Sequence, residues 1–134
     1  MPHLLVEYSA NVVPVVSVPA LLRAVHEAAL STGVFEVGAV RTRGARRDDY
    51  VVADDHADNA FVAVTVRIAR GRDEATRTRV GQAIFAAVCR QLAPAYGDGP
   101  LAISVEVQEI DPVGAFKKNN LHAITARRAQ AIGP

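Results

Sequence analysis

Tryptophan is absent from this 134-residue chain, and cysteine and methionine occur once each. A lone cysteine, Cys89, forms neither an internal disulfide nor a thiolate metal site. No window approaches the roughly 18 consecutive apolar residues of a membrane-spanning helix. The opening Met1-Pro2-His3-Leu4 lacks the basic region and long apolar core of a secretory signal. A formal net charge of +1 argues against a general nucleic-acid binder, which shows a clear basic excess. Half of the residues are apolar and only 22% are charged, which excludes a disordered polyelectrolyte. The expectation is one soluble, cytoplasmic domain. Lysine is scarce too, with two against thirteen arginines. Either a GC-rich genome or a need for planar, bidentate carboxylate recognition accounts for that bias.

What is present has a clear period. His3–Tyr8 alternates as a strand, with Leu4, Val6 and Tyr8 on one side. Ser17-Val18-Pro19 starts a helix through a capping hydroxyl and an early proline. Leu21, Leu22, Val25, Ala28 and Ala29 continue it, and Gly33 is its stop. Val37–Arg43 reads as a second strand. Residues 44–59 form a polar stretch with Arg46, Arg47, Asp48, Asp49, Asp54, Asp55 and Asp58, and a loop that long is functional or mobile. The same order then repeats. Ala60–Ile68 is a strand, Gly71-Arg72-Asp73 leads into a helix carrying Val80, Ile84, Val88 and Leu92, and Leu101–Ile110 is a fourth strand. The tail from Asp111 ends in a basic, alanine-rich stretch expected to fray.

The fold class is therefore α/β, a two-layer α+β arrangement. Two β-α-β units, about 2–43 and 60–110, share one four-stranded sheet, followed by a tail over 111–134. Both helices are expected on one face. The other face carries Leu5, Phe61, Thr65 and Ala102 beside Glu7, Arg67, Ser104 and Glu106. It is too apolar for plain solvent, so partner subunits are its expected cover, with Glu7, Arg67 and Glu106 paired there.

Few residues offer chemistry by spacing alone. His3, His26, His56 and His122 show no paired ligand spacing, so no metal is expected. Asp54-Asp55-His56 reads as solvated charge, and Cys89 as a small buried helix residue rather than a reactive thiol. Pro2 would become a secondary amine if Met1 were removed, a base that burial and nearby cations could tune toward neutrality. Arg72 falls where a strand gives way to a helix start, a place that already favours anions. Arg41 and Arg43 share one strand face. His3, His26 and Phe116 read as structural.

Pro2-His3-Leu4-Leu5-Val6-Glu7-Tyr8-Ser9 resembles the start of the 5-carboxymethyl-2-hydroxymuconate isomerase family, in the tautomerase superfamily. Further blocks follow in the family's order: Thr32–Phe35, Val40–Arg43, Ala60–Val62, Gly71-Arg72 and, most specific, Phe116–Ala123. The second unit also looks like the single unit of 4-oxalocrotonate tautomerase. The resemblance implies a homotrimer of double β-α-β subunits in aromatic-compound (homoprotocatechuate) catabolism. It implies cofactor-free ketonisation of an unsaturated 2-hydroxy polycarboxylate. Pro2 would be the general base, with Arg41 and Arg72, and Arg43 beside them, as carboxylate-binding residues. Neither nucleic acid nor membrane is expected as a partner. Two other readings stay open: a tautomerase-like hydratase or dehalogenase using Glu7 or Glu106, and a non-catalytic trimeric binding protein. Residues 44–59 and the tail after Ala126 depart from the family pattern.

Overall fold

The computed structural model describes residues 1–132. Four strands form one sheet: β1 (His3–Ser9), β2 (Arg41–Arg47), β3 (Ala60–Ala69) and β4 (Leu101–Ile110), in the order β2-β1-β3-β4. Within each unit the strands run parallel, β1 with β2 and β3 with β4, while β1 and β3 are antiparallel. The long connections demand crossover helices, and α1 (Val18–Ser31) and α2 (Glu74–Tyr96) supply them. This is the two-layer arrangement that the alternation of periods implies.

One sheet face makes the core. Leu4 and Val6 of β1, and Val62, Val64, Val66 and Ile68 of β3, are buried against Leu21, Val25 and Ala29 of α1 and Val80, Ile84, Val88 and Leu92 of α2. Each of the valine, leucine and isoleucine side chains contributes roughly 1.5–3 kcal/mol on burial. The helix starts follow the sequence signals. The Ser17 hydroxyl accepts from the Ala20 N–H, and the Asp73 carboxylate accepts from the Thr76 N–H. Gly33, with φ of +72°, follows α1 in the left-handed conformation that glycine adopts without strain. The opposite face carries no helix, and its Leu5, Phe61 and Thr65 are half-buried while Ala102, Ser104 and Glu106 are exposed.

Three boundaries differ from the sequence expectation. Val37–Ala39 is a 3-10 turn, not strand, and β2 instead runs on to Arg47 because its backbone pairs with β1 as far as Ser9. The remaining connection, 48–59, is tied down. Asn11 Nδ2 donates to the Asn59 carbonyl at 2.8 Å, and Asn59 Nδ2 donates to Asp54 Oδ1 at 2.7 Å and to the Val52 carbonyl at 3.0 Å. The tail does not fray over its described part. It folds as α3 (Leu121–Ile132) and packs on the Val37–Ala39 turn; residues 133 and 134 of the expected tail lie outside the described residues. Glu7 also has a partner within the chain, Arg47 Nε at 2.6 Å, rather than waiting for another subunit.

Candidate active site

Register decides which side chains meet. His3 lies opposite Arg41 on β2 and opposite Arg67 on β3, and Arg67 lies opposite Gln108 on β4. Because Cβ directions alternate along strands, paired residues share a face. Arg41, His3, Arg67 and Gln108 thus form one row across the open face, at the end of the sheet where the chain begins. A cleft of about 590 Å³ opens there. Its near wall is Met1, His3, Arg41 and Arg67, and its far wall is the Pro112–Lys118 segment after β4.

The cleft is cationic. Arg41, Arg67, Arg70, Lys117 and Lys118 line it, and none of its lining residues is acidic. Arg41 Nη1 meets His3 Nε2 at 3.3 Å, and Arg43 Nη1 meets His3 Nδ1 at 3.3 Å. A neutral imidazole accepts at only one nitrogen, so the two guanidiniums compete for a single acceptor. One of them is left with donors for an incoming anion. His3 stays neutral because burial, followed by Arg41, Arg43 and Arg67, holds its pKa below the usual value. Arg41 Nη2 also lies 3.1 Å from Met1 Sδ, and its backbone N–H donates to the Pro2 carbonyl at 3.2 Å. The chain start is thereby fixed in the cleft.

The α-amine of Met1 is itself perturbed. Burial lowers its pKa most, and the charges of Lys117, Arg72 and Arg41 lower it further. Each effect disfavours the protonated form. A lowered pKa enlarges the fraction of the amine that is free to accept a proton.

The residues expected from sequence fare differently. Arg41 lines the cleft, and Arg43 reaches it only through His3. Arg72 is not among the residues that line it. Its guanidinium sits 5.1 Å from the Phe35 ring centroid and donates to the Ala69 carbonyl at 3.2 Å, close enough to act on the Met1 amine electrostatically. Pro2 requires a correction. The chain begins at Met1, so the Pro2 nitrogen is an amide without a basic lone pair, and its residue is buried rather than lining the cleft. The N-terminal-proline base is overturned; the amine at this position belongs to Met1.

Sequence reasoning also missed residues. His3 and Phe116, read as structural, both line the cleft, and Phe116 is 94% exposed. Lys117 and Lys118 had a visible signal: they are the chain's only lysines, adjacent, inside the most specific block. Arg67 and Arg70 had none, because only the strand register brings them to Met1. His26 has a structural contact, with Nδ1 2.8 Å from Thr42 Oγ1 between α1 and β2.

Known proteins share this layout. The family model described as 5-carboxymethyl-2-hydroxymuconate isomerase matches residues 2–125. The chain belongs to that family. It is 33% identical over 124 residues to the 5-carboxymethyl-2-hydroxymuconate Δ-isomerase of Escherichia coli, covering 92% of this chain and 98% of that one. The crystal structure of a 5-carboxymethyl-2-hydroxymuconate isomerase from Deinococcus radiodurans R1 superposes with a TM-score of 0.85 at 34% identity, over 92% and 93% of the two chains. A second crystal structure, of a 5-carboxymethyl-2-hydroxymuconate Δ-isomerase, gives 0.85 at 28% identity over 93% of each. Membership in this isomerase family makes the chain an enzyme, an isomerase by class. No helix among the described residues is long and apolar enough to cross a membrane.

Proposed function

We propose that the protein tautomerises a small enol bearing two or more carboxylates, of the kind named for its relatives, in the cleft at Met1. The carrying observation is a terminal amine with a lowered pKa among five cations and no acid. The neutral Met1 amine takes the proton of the enol hydroxyl and returns it to a carbon further along the conjugated system. The O–H bond breaks, the C=O bond forms, and one C–H bond is made. Arg41, with Lys117 and Lys118 opposite, holds the carboxylates and stabilises charge on the dienolate oxygen. Arg72 acts by helping to lower the amine's pKa, after burial and Lys117, and Arg43 acts by competing with Arg41 for His3. This transfer requires no cofactor.

A hydratase or dehalogenase would need a carboxylate to activate water in the cleft. Glu7 is engaged with Arg47, and Glu106 lies outside the lining residues, so both observations favour the tautomerase. The half-apolar open sheet face further supports a homotrimer, which sedimentation would register as three times the chain mass.

The test combines ultraviolet ketonisation kinetics with intact mass. Selective acetylation of the α-amine should abolish turnover while the fold persists. The rate–pH profile should rise through an apparent pKa below the ordinary α-amine value of about 7.7–8.0. Full activity after acetylation, or activity confined to molecules that have lost Met1, would refute the Met1 amine as the base.

A further inference from the structure

The far wall of the cleft has little core to hold it. Val113 is 85% exposed and Phe116 94% in the single chain, so the chain's own core does not fix the course of this segment. What fixes it lies just beyond. Asn119 Nδ2 donates to the Gly38 carbonyl at 2.8 Å, and Asn119 Oδ1 accepts from the Leu121 N–H at 2.8 Å, at the start of α3. Gly38 is buried under that helix start. A Cβ on it would fall 2.6 Å from the His122 nitrogen and 2.7 Å from its Cα, both rigid backbone. Only glycine permits the approach. His122 Nδ1 closes the same contact on Glu36 Oε2 at 2.7 Å.

Both ends of this contact lead directly to the cleft. Gly38 is three residues before Arg41, and Asn119 follows Lys117 and Lys118. One contact therefore ties the near wall to the far wall across the sheet end. We propose that Asn119 and Gly38 form a clamp that holds the Gly114–Lys118 wall at its working distance from Arg41. They are positioning residues for carboxylate binding and touch no substrate. The role rests on the tautomerase reading for its substrate, but the clamp itself is open to a separate measurement.

Asn119→Asp separates clamping from helix capping. Aspartate keeps the acceptor for the Leu121 N–H but sets an oxygen against the Gly38 carbonyl, so α3 starts normally while the tie is lost. Hydrogen exchange should quicken over 111–120 and stay unchanged in β1 and β3. KM for a tricarboxylate enol should rise about threefold to tenfold, the scale of one hydrogen bond, with kcat nearly unaltered. Affinity for tricarballylate, an unreactive tricarboxylate followed by calorimetry, should weaken by the same factor. Gly38→Ala, if it folds, should do likewise.

Wild-type exchange in Asn119→Asp would overturn the clamp, and so would a released wall with unchanged KM and tricarballylate affinity. A wild-type protein that ketonises no carboxylate enol would refute the tautomerase reading instead. The clamp would then stand or fall on exchange and tricarballylate affinity.

Discussion

Arg41→Gln should change two things at once, because Arg41 touches both the proposed anion site and the groups that titrate there. Its guanidinium lies 3.3 Å from His3 Nε2 and 3.1 Å from Met1 Sδ, and its charge helps lower the pKa of the Met1 amine and of His3. Glutamine keeps a hydrogen-bonding amide but loses the charge. A charged hydrogen bond is worth roughly 1.5–3 kcal/mol. At about 1.36 kcal/mol per tenfold, kcat/KM for a carboxylate enol should fall by about one to two orders of magnitude. The acid limb of the profile should also move. Activity requires the neutral amine, so it is present above the amine's pKa and lost as pH falls through it. Removing one cation lets that pKa climb, and the limb shifts to higher pH. Burial, the larger cause, remains, so the limb stays below the ordinary α-amine value. An enol without carboxylates should show the shifted limb and little of the affinity loss. Equal losses on both enols with an unmoved limb would mean that Arg41 supports the fold and neither binds nor tunes.

Three further outcomes follow from the same geometry. Ile84→Ala, at a fully buried position of α2, should lower unfolding free energy by about 2–5 kcal/mol in urea titration; a loss below about 1 kcal/mol would contradict its place in the core. Asp73→Ala removes the acceptor for the Thr76 N–H, and should destabilise by about 0.5–2 kcal/mol while sparing KM, since Asp73 does not line the cleft. Raising salt from about 0.05 to 0.5 M should weaken KM far more for a tricarboxylate enol than for an uncharged one, because exposed charges are screened over about 10 Å at 0.1 M. Identical salt slopes would remove the cations from substrate recognition.

The sequence disclosed the elements better than their meeting points. Period-2 runs at 3–8, 60–68 and 101–110, and helical spacing through Leu21–Ala29 and Val80–Leu92, sufficed to place the sheet and both helices. Capping at Ser17 was legible because it is a local matter between a side chain and an N–H group three residues on. The second strand was misplaced because Val37, Gly38 and Ala39 are apolar for another reason: they receive α3. Helix α3 is seated by one contact patch, at Gly38 and His122, and that patch joins residues too far apart in sequence for a local pattern to show it. Arg41 was visible through its strand position and through the family resemblance. Arg67 and Arg70 were not, because no local pattern reveals that β3 runs antiparallel to β1 with His3 opposite Arg67.

That antiparallel pairing also accounts for where the chemistry sits. Two similar units related head to tail place the start of β1 beside the end of β3, and the start of β3 beside the end of β1. Each sheet end therefore has the same backbone plan, yet the chain supplies them with opposite charge. At one end stand Met1, Arg41, Arg67, Arg70 and both lysines. At the other, where Ser9 meets Phe61 and β2 finishes, Arg46 and Arg47 are paired with Asp48 and Glu7, and the 48–59 connection adds Asp49, Asp54, Asp55 and Asp58. An anionic substrate meets an attractive field at the first end and a repulsive one at the second. The acidic connection, although long, is hydrogen-bonded to Asn11 and contributes nothing to the cleft. A repeated fold thus offers an anion one favourable end rather than two, the end where the proposed amine stands among the cations that, after burial, lower its pKa.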